Sequence, residues 1–91
     1  PLHYSPGIPL RTSAKKPKKN EAFVLIKKRK HNFKNYYYLS KKNDLQQSAK
    51  NLYSLLRKIK KDGYKMIAVE KIQDKGIGKT INDRLNRASK Y

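Results

Sequence analysis

Short apolar runs bounded by charged residues predict the strands of this chain. Ala22–Ile26 is β-branched and aromatic with charge on both sides, and Met66–Val69 has the same character. Tyr36–Leu39 is a third candidate strand, and Leu10–Thr12 is a shorter fourth. Continuous apolar runs of this length are typical of strands buried on both faces, as in parallel sheets.

The stretch Asp44–Lys61 changes to the three- and four-residue period of an amphipathic helix. Its apolar positions are Leu45, Ala49, Leu52, Tyr53, Leu56 and Ile59. Asn43 is placed to cap this helix, with Gln46 three residues on as the reciprocal partner of a capping box. Gly63 supplies a left-handed stop just after the helix.

A second helix follows a turn over Gln73–Gly78. Its positions Ile77, Ile81, Leu85 and Ala88 are predicted to face inward, and Lys79, Asp83, Asn86 and Arg87 largely outward. Because strands and helices follow one another with short connections, the predicted fold class is α/β. We expect a small layered domain in which a mostly parallel sheet is covered by two main helices.

The length and composition of the chain exclude several classes of function. The chain has 91 residues, enough for one compact domain and few for a large enzyme with its own substrate cleft. It has no cysteine, and therefore no disulfide framework or thiolate metal site. His3 and His31 lie far apart without carboxylates at ligand spacing, so no metal site is expected. No apolar run approaches the length of a membrane span, so we expect a soluble protein without a membrane partner. The lack of cysteine fits the reducing cytoplasm, which is the expected location.

The formal net charge is +18, from 24 Lys and Arg against 6 Asp and Glu. Such an excess predicts salt-sensitive attraction to polyanions such as RNA. Most of this charge is lysine, accompanied by abundant asparagine, isoleucine and tyrosine, whose codons are rich in A and T. An AT-rich genome would give the same bias without a nucleic-acid ligand, and both explanations stay open.

Two basic runs precede a run of three tyrosines. The first, Lys15–Lys19, has the composition of a localisation tag, although such runs are more often solvated loops. The second is Lys27–His31. Alternation along a strand puts Tyr36 and Tyr38 on one side and Tyr37 on the other. The three rings could stack on unpaired bases of RNA, but ordinary packing within a strand is the favoured interpretation.

The turn before the last helix contains Gly76-Ile77-Gly78-Lys79-Thr80, the second half of a phosphate-binding P-loop pattern. The full pattern needs another glycine where this chain has Gln73. The favoured interpretation is structural: the two glycines allow a tight turn from strand into helix, and Lys79 points to water. A stand-alone ATPase that uses Lys79 is a minor alternative.

Three separated segments resemble a known family. They are Leu2-His3-Tyr4-Ser5-Pro6-Gly7-Ile8-Pro9-Leu10-Arg11, Ala49-Lys50-Asn51-Leu52-Tyr53-Ser54-Leu55-Leu56-Arg57, and Gly76-Ile77-Gly78 with Ile81-Asn82-Asp83-Arg84-Leu85. In this order and spacing they are similar to the carboxy-terminal domain of the two-domain threonylcarbamoyl-AMP synthases. The resemblance covers most of the chain and implies a Rossmann-like fold.

In that family a larger YrdC-like domain binds ATP, with Mg, as well as L-threonine and bicarbonate. It makes threonylcarbamoyl-AMP for a tRNA modification and releases pyrophosphate. The resemblance implies that residues 1–9 are the end of the interdomain linker and residues 10–91 the Rossmann-like domain. It also implies an accessory or gating domain, inactive alone and without a cofactor of its own. The YrdC-like catalytic domain would be its partner, and tRNA is a further candidate partner.

The resemblance also suggests roles for particular residues. His3 and Tyr4 in the linker would gate the active site of the catalytic domain, or Tyr4 would pack on the surface of this domain. Asn82, Asp83 and Arg84 form a polar cluster on the last helix, expected to be a helix cap and ion-pair network rather than a site. No catalytic residue is predicted. The alternative function is a small basic RNA-binding protein of the translation apparatus.

Overall fold

The computed structural model describes residues 6–40, 42 and 44–90. Within them the elements are β1 (Leu10–Ala14), β2 (Ala22–Leu25), β3 (Tyr36–Tyr38), α1 (Leu45–Lys61), β4 (Ile67–Glu70) and α2 (Ile77–Ala88). The strands lie in the order β1-β4-β2-β3, and every neighbouring pair is parallel. The predicted α/β class, a small Rossmann-like layer with a parallel sheet and two helices, is confirmed.

Both helices cover the same face of the sheet. The cluster on this face contains Ala22, Val24, Ile67 and Val69 from the strands, Leu52, Leu56 and Ile59 from α1, and Ile81, Leu85 and Ala88 from α2. All of these side chains are fully buried. The three- and four-residue spacing of apolar positions gives each helix one inward stripe, and the two stripes meet over the sheet.

The opposite face carries a smaller cluster of strand side chains. Phe23 and Leu25 are buried there with Ala68, and Tyr36 and Tyr38 pack beside them. No helix of the described ranges contributes to this cluster. The predicted alternation of the tyrosines is confirmed, because Tyr37, between them in β3, packs on the helix-bearing face instead.

The amino-terminal cap of α1 is Asp44, not the predicted Asn43, which lies outside the described residues. The Asp44 carboxylate accepts the N–H groups of Gln46 and Gln47 at 2.9 and 3.2 Å. The Asp44 N–H is accepted by the Ser40 hydroxyl at 3.0 Å, and this hydroxyl donates to Gln47 Oε1 at 3.1 Å. Gln47 is therefore joined to the cap through Ser40, without the direct bond of a capping box, and the cap lies one residue later than predicted.

The start of α2 also differs from the prediction. Ile77 was expected to face inward but is 38% exposed, while Gly78 is buried. The inward stripe begins at Gly78 and continues through Ile81, Leu85 and Ala88, so consecutive members are three or four residues apart. Ile77 is the first residue of the helix and falls outside this stripe.

Candidate functional site

β2 and β4 are neighbours in the sheet, and the chain leaves their carboxyl ends in opposite directions. After β2 the chain passes to β3 on one side, and after β4 it enters α2, which packs against α1 and β1. Such a switch point opens a crevice at the carboxyl edge of a parallel sheet, where ligands bind in α/β folds. Here it is a cleft of about 580 Å³, lined by residues that follow β2 and β4 and by Leu45 of α1.

This carboxyl-edge cleft is basic. Its basic side chains are Lys27, Arg29, Lys71 and Lys75. Glu70 is held in place, since its Oε2 accepts the Ile26 N–H at 2.6 Å and its Oε1 pairs with the Arg29 guanidinium at 3.0 Å. The three lysines have no carboxylate partner within the described ranges. The cleft therefore offers positive charge suited to an anionic ligand.

Sequence reasoning missed Glu70. The available signal was a carboxylate directly after the buried run Met66–Val69, because side chains that follow parallel strands meet at one edge of the sheet. Its partner Arg29 lies 41 residues earlier in the chain. Their pairing depends on β2 and β4 being neighbours in the sheet, although β3 and α1 separate them in sequence.

The glycine-rich turn before α2 is a tight corner. A Cβ atom at Gly78 would lie 2.1 Å from the Gln73 carbonyl oxygen, so the backbone approach requires glycine. Gly76 has φ +58°, a conformation that side chains disfavour. The Gly78 N–H donates to the Lys75 carbonyl at 3.0 Å, and the Lys79 N–H donates to the Gly76 carbonyl at 3.1 Å. These amides are engaged within the turn, and Lys79 is exposed, as the structural interpretation predicts.

The polar cluster on α2 fastens the helix to its surroundings. Asn82 Nδ2 donates to the Ile72 carbonyl at 2.8 Å, and Arg84 donates to a carbonyl of α1 at 3.1 Å. Asp83 forms an exposed ion pair with Arg87 at 3.2 Å. The three side chains share no partner and do not converge. None of them caps α2, which begins without a side-chain cap.

The proposed gate residues, His3 and Tyr4, lie outside the described residues. The chain that follows them is attached to the domain. Pro6 is fully buried, and the Pro9 carbonyl accepts the Ile67 N–H at 2.9 Å, next to the pairing of β1 with β4. The end of the predicted linker therefore has a fixed attachment point on the sheet.

The chemistry available at the cleft is electrostatic. In the ranges that the structure describes, no group of three or more His, Cys, Asp or Glu side chains could hold a metal ion. Both carboxylate oxygens of Glu70 already accept hydrogen bonds, so this side chain is not a ready general base.

Neither helix is long and apolar enough to cross a membrane.

Comparison with known proteins agrees with this architecture. The family model for "Threonylcarbamoyl-AMP synthase, C-terminal domain" matches residues 2–90. Among solved structures, the chain is similar to Sua5 from P. abyssi complexed with L-threonine, at 21% identity and a TM-score of 0.69. At that identity the likeness shows the fold, and it covers 98% of this chain but 30% of that chain. No curated protein sequence matches the chain significantly.

Proposed function

Because the chain belongs to the family of threonylcarbamoyl-AMP synthase C-terminal domains, we propose that it is the accessory, gating domain of an L-threonylcarbamoyladenylate synthase. The observation that carries this proposal is the family match across residues 2–90. The parallel sheet with both helices on one face supports it, because a part of the larger Sua5 chain has a similar fold. The residues of this domain supply contacts and charge, and the reaction takes place on a neighbouring domain.

The whole enzyme would convert ATP, L-threonine and bicarbonate to threonylcarbamoyl-AMP, pyrophosphate and water, in the cytoplasm, for the modification of tRNA. We assign this chemistry to a YrdC-like catalytic domain that binds ATP with Mg. The chain spans 30% of the length of the similar Sua5 chain, whose structure is described as complexed with L-threonine. A separate catalytic domain is compatible with that difference in length.

Residues 1–9 would be the end of the linker between the two domains. Since Pro6 is buried and Pro9 is bonded to the sheet, the last part of this segment moves with the domain. His3 and Tyr4 come three and two residues before Pro6 in the sequence. A movement of the domain would therefore carry an imidazole and a phenol toward or away from the catalytic mouth, which is a gating device.

The test is an assay of threonine-dependent pyrophosphate release. We expect no release from this chain alone and release when it is joined to the YrdC-like domain. In the joined protein, replacing His3 and Tyr4 by alanine should lower kcat/KM for L-threonine about tenfold, which corresponds to about 1.4 kcal/mol of lost transition-state stabilisation. The double variant should keep the circular dichroism spectrum of the parent.

Lys79→Ala is the matched control, because Lys79 is exposed on α2 and is not part of the predicted linker. It should leave kcat/KM unchanged. A loss of nucleotide binding in this variant would favour the P-loop alternative instead. The proposal is wrong if the chain alone makes threonylcarbamoyl-AMP, or if the linker double variant has the kinetics of the parent.

A further inference from the structure

The loop between β2 and β3 forms a second cavity, a groove of about 460 Å³. It is lined by Lys27, Lys28, Arg29, Lys30, His31, Phe33 and Tyr36, and we call it the β2–β3 groove. No acidic side chain lines this groove. The groove adjoins the carboxyl-edge cleft, because Lys27 and Arg29 line both cavities.

The loop that forms the β2–β3 groove is held in a defined shape. Its side-chain hydrogen bonds join Arg29 to Glu70 at 3.0 Å, Tyr38 to Asn32 at 2.9 Å, and Asn35 to the Glu21 carbonyl at 2.8 Å. The Arg29 guanidinium carbon also lies 5.4 Å from the centroid of the Phe23 ring. Because these contacts form on folding, a ligand would bind the groove without ordering the whole loop.

Phe33 presents an accessible ring in this groove. It is 56% exposed, and its ring centroid lies 5.1 Å from that of Tyr36 with an interplanar angle of 66°. Tyr36 in turn contacts the buried Phe23 ring edge-on at 5.5 Å. This edge-to-face series supports Phe33 from the core side and leaves much of its ring surface open to a ligand.

The charge around Phe33 is uncompensated. Lys27, Lys28 and Lys30 have no carboxylate partner among the described residues, whereas Arg29 is paired with Glu70. An accessible aromatic ring beside unpaired cations is the arrangement that binds single-stranded nucleic acid: bases stack on the ring, and cations contact the phosphates. We propose that the β2–β3 groove binds unpaired RNA, with a base on Phe33 and flanking phosphates on the lysines.

The shape and composition of the groove favour RNA over other polyanions. An anionic membrane would attract the same lysines, but stable anchoring would also need several apolar side chains that enter the bilayer interface. The large exposed apolar side chains of the described residues are Phe33 and Ile77, which lie on different elements. Duplex RNA keeps its bases stacked inside the helix, out of reach of a phenylalanine ring. The choice of RNA over single-stranded DNA rests on the proposed function in tRNA modification.

The first experiment measures the dissociation constant of the full chain for a labelled single-stranded RNA of about 12 nucleotides, a length within the site sizes of single-strand binders. Phe33→Ala should raise the dissociation constant about tenfold through the loss of base stacking. Phe33→Leu should do the same, because leucine is apolar but has no ring, while Phe33→Tyr should keep the affinity. The matched control is Ile77→Ala, which removes the other exposed apolar side chain and should leave the affinity within about twofold.

The second experiment measures the salt dependence of the same affinity. Replacing Lys28 and Lys30 by glutamine should reduce the slope of log K against log salt by roughly 1.4, since each single-strand phosphate contact contributes about 0.7. Replacing Lys50 and Lys79 by glutamine removes the same charge from exposed positions on the helices and should leave the slope close to that of the parent. Circular dichroism would check that all variants are folded.

Equal losses in the groove variants and the control variants would overturn the proposal, because they would show unspecific attraction to the net charge. Tighter binding to anionic vesicles than to RNA, retained in Phe33→Leu, would overturn it in favour of a membrane. Tighter binding to single-stranded DNA of the same sequence would overturn the assignment to RNA. These measurements use no synthase reaction, so the gating function and RNA binding can fail separately.

Discussion

Among single residues, Glu21 is the most firmly held charge. Its side chain is 3% exposed, and its carboxylate accepts two hydrogen bonds from Arg11, at 2.8 and 3.0 Å, and one from the Lys18 N–H at 2.8 Å. The hydrogen bonds from Arg11 lower the pKa of the Glu21 carboxyl, against an opposing effect of burial. This carboxylate thereby connects β1 with the start of β2, two strands that are not neighbours in the sheet.

Acid should destabilise the fold through Glu21. The pKa of Glu21 is lower in the folded chain than in the unfolded chain. The stabilisation that ionised Glu21 gives to the fold is therefore complete above the unfolded pKa of about 4.3, and it is lost as the pH falls through the folded pKa. The free energy of unfolding, from urea titrations, should fall progressively as the pH drops below about 5. Glu21→Gln should lower it by about 1–3 kcal/mol at neutral pH and should flatten this fall.

Asp83→Asn is the control for this titration, because the Asp83 side chain is 61% exposed and its ion pair is on the surface. We expect it to change stability by less than about 0.5 kcal/mol and to keep the acid dependence of the parent. If Glu21→Gln lost stability in acid as steeply as the parent, another group would have to carry the effect.

Among the elements, both ends of α1 form hydrogen bonds with residues in or just after β3. At its start, Ser40 is buried and accepts the N–H of the cap residue Asp44. At its end, the Tyr37 hydroxyl donates to the Asp62 carboxylate at 2.6 Å. Burial, and then this hydrogen bond, raise the pKa of Tyr37, while the same bond lowers the pKa of Asp62. The crossover helix is therefore positioned by polar contacts at its termini as well as by its apolar stripe.

Removal of the cap should weaken α1. Asp44→Ala leaves the Gln46 and Gln47 N–H groups without their acceptor and should lower the free energy of unfolding by about 1 kcal/mol. Gln46→Ala, at the partner position predicted from the sequence, should change it by less than about 0.5 kcal/mol, because Gln46 is exposed. Thermal and urea denaturation of the two variants would compare them. Equal effects would contradict the assignment of the cap to Asp44.

The molecule as a whole carries far more positive charge than its ion pairs can neutralise. Its net charge is +18, and the described residues form four ion pairs, of which Lys58–Asp62 and Asp83–Arg87 lie on the surface. Exposed pairs contribute little to stability, whereas an excess of like charge destabilises the compact state through repulsion. Six of the 24 Lys and Arg side chains line the carboxyl-edge cleft and the β2–β3 groove, which adjoin.

Added salt should therefore stabilise the domain. We expect the melting temperature to rise between about 20 mM and about 500 mM NaCl, because the Debye length falls well below the spacing of distant surface charges. KCl should give the same rise if the effect is screening. A melting temperature that fell with salt would mean that the ion pairs outweigh the repulsion, contrary to this account.

The elements were predictable because they depend on local information. Burial on one face of a helix, or on both faces of a strand, imposes a spacing of apolar side chains that is visible in any short window of the chain. The strand bounds differ from the predicted ones by one or two residues. The family was recognisable for a related reason, since its segments are contiguous in sequence.

The order of strands required the folded chain. β4 comes last in sequence among the strands but lies between β1 and β2, and this placement brings Glu70 to Arg29 across 41 residues. The same placement creates the carboxyl-edge cleft. The support of Phe33 by Tyr36 and Phe23 likewise needs the pairing of β2 with β3. Such pairings are selected by the packing free energy of whole layers, to which distant segments contribute together, so a local pattern does not reveal them.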